Sequence, residues 1–185
     1  MEKKSISSVD RERSEKAGKR QRKMTEYGRQ LHEKQKVKEM YGLREAQFRR
    51  FYSIAERSQQ ATGETLLSLL EQRLDNVVYR LKLASTRRQA RQIIVHGHVY
   101  VNGKKVESPS YLISVGDEVS LSPRASEKNG LLEVVVDKRL STNVKVPDWV
   151  ELDKKGRKGR ILRLPVRADI QTPIEEYLIV ELYSK

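Results

Sequence analysis

The sequence contains no cysteine among its 185 residues, and it has only one tryptophan and two phenylalanines. The lack of cysteine excludes disulfide bonds and thiolate metal sites, and it is compatible with a reducing compartment. The longest apolar stretches, such as residues 131–132 and 134–136, are far shorter than the roughly 20 residues of a membrane-spanning helix. Met1 to Lys4 is followed by polar residues, which predicts no secretory signal.

Acidic residues are scarce relative to basic ones. The chain has 38 Lys and Arg against 25 Asp and Glu, a formal net charge of +13. This balance favours polyanionic partners, either nucleic acid or an anionic membrane surface. Catalytic patterns are missing too, since the chain has no cysteine nucleophile, no glycine-rich loop that cradles phosphate and no evident Ser, His and Asp arrangement. We therefore predict a binding protein with no enzymatic activity, no cofactor and no metal.

The hydrophobic pattern predicts helices in the first half of the chain. Residues 1–50 carry sixteen Lys or Arg against eight Asp or Glu, and the first part of this region has almost nothing to fill a core. Apolar residues at helical spacing predict helices over 25–40, ended by Gly42, and over 43–57. A third helix is predicted from Thr62, with inward leucines that extend to Leu74, and a fourth over 86–95 with Ser85 as its N-cap.

After Gly97 the pattern changes from helical to alternating. Residues 98–101 and 104–106 predict two strands joined by Asn102-Gly103, a pair that readily adopts the positive φ angles of a type I′ turn. A further strand is expected over 118–121 and an amphipathic helix over about 126–140. From Trp149 onward, short strands and loops are expected.

The segment from Asn76 to Val106 has the most informative charge pattern. It contains seven basic residues and no acidic one. In the predicted fourth helix the basic residues share one face, whereas Ala90, Ile93 and Ile94 can turn toward a core. A rigid cationic ledge with free N–H groups at the helix start can bind phosphate, and the hairpin would lie next to it. These observations favour an RNA platform.

Plainer interpretations of the same residues stay open. A basic helix face is often merely solvated. His96 and His98 flank a glycine, but no further ligands lie at a suitable spacing for a metal site. Aromatic residues at helical spacing, here Tyr27, Tyr41, Phe48 and Tyr52, could stack on bases but more often belong to a core.

Several motifs together resemble the bacterial-type family of small-subunit ribosomal protein S-four, over about residues 20–185. The central ones resemble that family's RNA-binding domain, also called the α-L motif. The matching segments are Thr25-Glu26-Tyr27-Gly28, residues 33–37, Tyr41-Gly42, residues 70–81, Ala90-Arg91-Gln92, His96-Gly97-His98, Val101-Asn102-Gly103, Pro109-Ser110-Tyr111 and residues 178–184.

The resemblance implies an α+β fold with two lobes. Residues 1–24 would be a flexible basic arm, and residues 25–73 a helical rRNA-binding lobe. Residues 74–140 would form the α-L lobe, with two helices and a small antiparallel sheet. Residues 141–185 would supply C-terminal strands and loops that pack on the helical lobe and complete it.

The resemblance also implies a function. It implies binding to a multi-helix junction in the 5′ domain of 16S rRNA early in subunit assembly. It further implies contact with ribosomal protein S-five and other small-subunit proteins, a part in decoding accuracy and, in some bacteria, repression of its own operon through its mRNA. The expected location is the cytoplasmic ribosome; a plastid or other organellar ribosome stays open.

The residues predicted to contact rRNA follow from the matched positions and from charge. They are Arg20, Arg22, Lys23, Tyr27, Arg29, Lys34, Lys36, Lys38, Arg49, Arg73, Arg80, Arg87, Arg88, Arg91, Gln92, His96, His98, Asn102, Lys104, Lys105 and Tyr111.

One departure from the family concerns zinc. Many members have four N-terminal cysteines that hold zinc, and this chain has none. No zinc is implied here, and the basic arm is expected to fold only on RNA. Three other kinds of protein share part of this pattern: RNA-modifying enzymes with the same motif, shorter stress or ribosome-rescue factors, and modules that bind acidic proteins. The chain lacks room for a separate catalytic domain, and it has extra segments that the shorter factors lack.

Overall fold

The computed structural model describes residues 24–122, 146–154 and 156–184. The helix predicted over 126–140 and the arm before Met24 lie outside these residues. The described elements are the helices α1 (Glu26–Met40), α2 (Glu45–Glu56), α3 (Thr62–Glu71), α4 (Leu74–Arg80), α5 (Arg87–Val95) and α6 (Glu176–Tyr183), the strands β1 (Val99–Val101), β2 (Lys104–Lys105), β3 (Glu118–Leu121), β4 (Val150–Asp153) and β5 (Lys158–Ile161), and a single 3₁₀ turn (Arg167–Asp169). Each helix in the described ranges is too short or too polar to span a bilayer.

Local sequence determines where α1 and α5 begin and end. The Thr25 hydroxyl accepts a hydrogen bond from the Gly28 N–H at 3.2 Å and caps α1, which begins within one residue of the predicted start. The cap of α5 is Thr86, one residue after the predicted Ser85, and it accepts from the Gln89 N–H. Both helices end at a glycine with positive φ, Gly42 (60°) and Gly97 (73°). Left-handed backbone at this position lets the last carbonyls bond back to the chain, so each helix stops cleanly.

The helical lobe consists of α1, α2, α3 and α6 around one apolar core. The stripe predicted on α2 is buried, and α1 packs along α6 while α2 packs along α3. Residues between the 3₁₀ turn and α6 contribute to the same core. The core residues are Val37, Tyr41, Leu43, Phe48, Phe51, Tyr52, Ala55, Leu66, Leu67, Leu70, Ile170, Ile174 and Ile179.

The α/β lobe packs α4 and α5 on a five-stranded antiparallel sheet of order β2-β1-β3-β5-β4. Ala90, Ile93 and Ile94 face its core, as the helical pattern predicts. The hairpin between β1 and β2 is confirmed, since Asn102 and Gly103 both have positive φ, at 50° and 75°. The lobe thereby holds α5 and the hairpin side by side.

Two expectations about the helices are wrong. The third helix does not continue to Leu74: it ends at Glu71, and Arg73 forms an isolated bridge with Leu112 before α4 begins. Residues 176–183 are helical, although strands and loops were expected there. Their apolar side chains pack on α1, α2 and α3, and this tertiary burial overrides the weak helix propensity of β-branched residues.

The C-terminal strands also lie elsewhere than expected. They were expected to pack on the helical lobe, but β5 pairs with β3, with Val119 opposite Gly159. Trp149, Val150 and Ile161 join the core of the α/β lobe. An antiparallel strand pairs with the sheet edge that lets its apolar face join a core. The strand's own sequence does not show which edge that is. The helical lobe is completed instead by residues 170–174 and α6.

Candidate nucleic-acid interface

The two lobes meet at a buried carboxylate, Glu71, which is 1% exposed. It accepts hydrogen bonds from the Tyr41 hydroxyl (2.6 Å), from Asn76 Nδ2 (2.7 Å) and from Arg80 Nε and Nη2 (2.9 and 2.7 Å). These partners come from the end of α1 and from α4, so the carboxylate joins elements of both lobes. A buried charge needs such partners because its desolvation is otherwise very costly.

The electrostatics of this cluster are consistent with an ionised Glu71. Burial by itself raises the pKa of the Glu71 carboxyl, but the hydrogen bonds and charge of Arg80, with the Tyr41 and Asn76 bonds, outweigh burial and hold that pKa below its usual range. Burial raises the pKa of Tyr41, and the Glu71 charge raises it further, so the phenol stays a neutral donor. The Arg80 guanidinium is thus committed to Glu71.

Two arginines of the predicted cationic ledge, Arg87 and Arg91, also have hydrogen-bond partners within the protein. Arg87 donates from Nε to Asn76 Oδ1 at 2.8 Å, and its guanidinium lies 4.9 Å from the Tyr41 ring centre and 4.8 Å from that of Tyr79. An arginine between two aromatic faces is held by cation–π attraction as well as by its hydrogen bond. The Tyr79 and Tyr41 rings come from different lobes, so Arg87 links them.

Arg91 makes a second link between the lobes. Its Nη1 donates to the Gly42 carbonyl at 2.8 Å and its Nη2 to Asp75 Oδ2 at 2.9 Å. Arg73 donates to the same Asp75 carboxylate from Nε and Nη2, and at 1% exposure it has no surface to offer a ligand. We call this group the interlobe joint; its members are Tyr41, Gly42, Glu71, Arg73, Asp75, Asn76, Arg80, Arg87 and Arg91.

The lysines predicted on the first helix are likewise committed within the protein. Lys34 and Lys38 both donate to the Glu45 carboxylate, at 2.8 and 3.3 Å, and tie α1 to the start of α2. The hydrogen bond from Lys34 is the main cause of a lowered Glu45 pKa. Lys36 bonds Glu33 at 3.0 Å and also the Pro173 carbonyl. These three side chains hold α1 against its neighbours.

A different part of the prediction lies at the surface. Arg88 and Gln92 on α5, and His96 at its C-cap, are exposed on the side opposite the buried Ala90, Ile93 and Ile94. The hairpin lysines are exposed too, and a Cβ added at Gly97 would collide with the Lys105 side chain, so the hairpin lies against the end of α5. Lys105 forms an ion pair with the Glu107 carboxylate, so its charge is already balanced within the protein. We call the remaining surface the basic ledge; its members are Arg88, Gln92, His96 and Lys104.

Other predicted residues flank the basic ledge or lie apart from it. The His98 ring is half-buried and stacks on His96 at 6.3 Å between centres. Asn102 is exposed, but its amide is occupied: Nδ2 donates to Asp117 and Oδ1 accepts from the Glu118 N–H, which fixes the turn to β3. Within the described ranges, no group of three or more His, Asp or Glu residues is placed to hold a metal ion.

The remaining predicted residues are surface positions of the described chain or lie outside it. Tyr27, Arg29, Arg49 and Tyr111 are exposed. Arg29 lies 3.9 Å from the Glu26 carboxylate across one helical turn, which is a weak pairing. Three further predicted residues, Arg20, Arg22 and Lys23, fall outside the described residues.

The acidic members of the joint were missed by sequence reasoning. Glu71 is the last residue of α3 and Asp75 is the second residue of α4, and both are buried beside the buried residues Leu70 and Leu74. A carboxylate within an apolar stripe requires a cationic partner in the fold. Read in this way, the two acids would have predicted that several nearby arginines face inward.

Comparison with known proteins places these observations in a family. Residues 2–71 match the family described as the ribosomal protein S4/S9 N-terminal domain, and residues 72–119 match the S4 domain. Three relatives carry the name small ribosomal subunit protein uS4. Those of Thermoanaerobacter sp. (strain X514), Dictyoglomus turgidum and Halothermothrix orenii are 52%, 51% and 46% identical over 168 residues, which cover 91% of this chain and 79% of each relative. With both of its lobes matched in this way, the chain belongs to the uS4 family of small-subunit ribosomal proteins.

Proposed function

We propose that this chain is a structural component of the small ribosomal subunit and binds its rRNA without catalysing a reaction. The observation that carries the proposal is the basic ledge: cationic and hydrogen-bonding side chains project to solvent from a short helix and an adjoining hairpin. Both elements are anchored in one apolar core, so their charges are held in place before RNA arrives.

The geometry suits recognition by shape and charge. Arginine and lysine heads bind phosphate oxygens, and the free N–H groups at the start of α5 can bind a phosphate near Arg88. Gln92 and His96 could reach 2′-hydroxyl groups or base edges beside that phosphate. We infer few base-edge contacts, so the protein would recognise folded RNA more than its sequence.

The finer assignment extends the family's role to this chain. We propose that the RNA is a multi-helix junction in the 5′ domain of 16S rRNA, bound early in assembly. We further propose contact with ribosomal protein S-five, a part in decoding accuracy, and binding of the chain's own mRNA where the operon is autoregulated. The ribosome in the cytoplasm is the proposed location.

The two groups of arginines should act differently in this binding. Residues of the basic ledge would contact phosphate directly, whereas Arg87 and Arg91 would hold the lobes in position. A residue that neutralises a phosphate releases counterions, and it therefore contributes about 0.7–0.9 to the slope of log affinity against log salt. A positioning residue changes the affinity without changing that slope.

The test is a titration with a 5′-domain rRNA fragment and an unrelated duplex at several salt concentrations. We expect the wild type to prefer the rRNA fragment, and R88A/K104A to reduce the slope by up to about 2. We expect R87A/R91A to weaken binding with little change in slope, with urea unfolding reporting any loss of stability. Equal binding of both RNAs by the wild type would refute the proposed function.

A further inference from the structure

The turn between β1 and β2 contains a reactive pair of residues, Asn102 and Gly103. An asparagine followed by glycine is prone to deamidation, since glycine has no side chain to shield its backbone nitrogen. That nitrogen bonds to Asn102 Cγ, the Cγ–Nδ2 bond breaks, and ammonia leaves with the Gly103 amide proton. One water then opens the cyclic imide and leaves a carboxylate. Both residues are exposed, and a Cβ added at Gly103 would meet none of the described atoms within 4 Å, so neighbouring groups do not block this reaction sterically.

The Asn102 side chain is nevertheless held by the turn that leads into β3. Its Nδ2 donates to Asp117 Oδ1 at 2.7 Å, and its Oδ1 accepts from the Glu118 N–H at 2.9 Å. The Asn102 N–H also donates to the Glu118 carbonyl at 2.9 Å. Asp117 is fixed in turn, because its Oδ2 accepts from the Ser114 N–H at 2.7 Å. The amide therefore cannot turn toward Gly103 without losing bonds at both of its ends.

The backbone of the turn opposes the reaction as well. Ring closure requires the Asn102 side chain and the Gly103 nitrogen to be nearly eclipsed about the Cα–C bond of Asn102. Asn102 and Gly103 have φ of 50° and 75°, as in a type I′ turn, which holds these two groups on nearly opposite sides of that bond. Rotating the bond would open the pairing between Val101 and Lys104 on either side of the turn. The reactive atoms therefore meet only when the hairpin opens locally.

We infer that Asn102 is a deamidation site that the native fold keeps unreactive, with Asp117 as the residue that protects it. The product would not fit in the same place. A carboxylate at position 102 would face the Asp117 carboxylate at hydrogen-bond distance, with no proton between them at neutral pH, and the two charges would repel each other. The modified hairpin would therefore be pushed away from β3. This inference depends on contacts within the chain and is independent of the RNA that the protein binds.

The experiment incubates the full-length protein in mildly alkaline buffer, with and without urea, and follows the conversion of Asn102 to aspartate and isoaspartate by peptide mass spectrometry. We expect conversion in the native wild type to be at least about tenfold slower than in the urea-unfolded chain, because two side-chain hydrogen bonds must break. D117A should react about fivefold faster than the native wild type, since one of those bonds is lost. E118A is the matched control: it removes a neighbouring carboxylate, which pairs with Lys158, but keeps the backbone groups that bond Asn102.

A charge swap tests the fate of the product. N102D places the carboxylate in the turn directly and should lower the urea midpoint of unfolding, because it faces Asp117. N102D/D117N should recover most of that loss. The amide introduced at position 117 can donate to the new carboxylate and still accept from the Ser114 N–H.

A second Asn-Gly pair provides an internal reference. In urea, Asn102 should react at about the rate of Asn129, which also precedes a glycine, so any slower reaction in the native protein comes from the fold. Equal conversion of Asn102 in the native and the unfolded chain would overturn the inference, and so would equal rates in D117A and E118A. A double variant no more stable than N102D would refute the role of Asp117. Circular dichroism verifies that the variants fold, and the wild-type comparison and the charge swap do not depend on D117A.

Discussion

The buried carboxylate of the interlobe joint offers the sharpest test of how this fold is held together. Replacing Glu71 by Gln keeps the shape of the side chain and removes its charge. In the wild type, four donor groups of Tyr41, Asn76 and Arg80 converge on the two oxygens of the Glu71 carboxylate. An amide has only one oxygen, so its NH₂ group would have to face at least one of these donors, and Arg80 would lose its counter-charge.

The size of the effect follows from burial. Removing one partner of a buried ion pair costs about 3–5 kcal/mol, because the other charge stays desolvated. The Glu71 side chain is 1% exposed, but that of Arg80 is 23% exposed and can recruit water. We therefore expect E71Q to lower the free energy of unfolding at pH 7 by about 3 kcal/mol, near the low end of that range.

The pH dependence gives the reasoning a second check. The pKa of Glu71 is lower in the folded protein than in the unfolded chain. Its stabilisation is therefore fully present above the unfolded carboxyl pKa of about 4.3, and it is lost as the pH falls through the folded value. Glutamine does not titrate, so the difference between wild type and variant should be largest near neutral pH and should shrink in acid.

The assay is urea unfolding, followed by circular dichroism and by the fluorescence of the buried Trp149, at about pH 7 and at several lower values. E64Q on the exposed side of the same helix is the matched control, and it should change the free energy of unfolding by less than about 0.5 kcal/mol. A cost for E71Q below about 1 kcal/mol at neutral pH would refute the account of the joint. So would a cost that stays constant into the acid range.

Two further predictions concern packing in the two lobes. Tyr183 on α6 stacks on Tyr52, and its hydroxyl donates a hydrogen bond to Glu45 at 3.1 Å. Y183F keeps the stacking and removes the hydrogen bond, so it should lower the free energy of unfolding by about 1 kcal/mol. An unchanged urea midpoint would contradict this prediction. A Cβ added at Gly159 would lie 2.2 Å from Leu81 Cδ2 and 2.9 Å from a backbone oxygen. G159A should therefore lower the free energy of unfolding by about 1–3 kcal/mol and alter the near-ultraviolet circular dichroism. If the variant were as stable as the wild type, the contact between β5 and α4 would have to relax freely.

Local sequence was sufficient wherever a feature depends on neighbours within a few residues. The Thr25 cap, the glycine that ends α1 and the Asn102-Gly103 turn are each decided by side chains within about four positions. The buried stripes of α2 and α5 follow from helical periodicity in the same way. Together with the family motifs, these features were enough to predict the α+β class and an RNA-binding protein.

Tertiary structure decided which cations remain available at the surface. Helical periodicity predicts that Arg87 and Arg91 lie on the polar side of α5. This is correct, because both side chains lie away from the apolar core of the α/β lobe. It could not show that the other lobe brings Tyr41 and Gly42 against the same side of α5.

The strands and the last helix were decided at the same level. The partner of β5 is a strand some forty residues earlier, and α6 is stabilised by helices at the other end of the chain. Composition and spacing therefore determined what kinds of partner this protein seeks, whereas the pairing of distant segments determined which side chains reach them. The physical reason is that a charge is free to bind RNA only when no buried or neighbouring carboxylate already holds it, and those carboxylates are brought near by the fold.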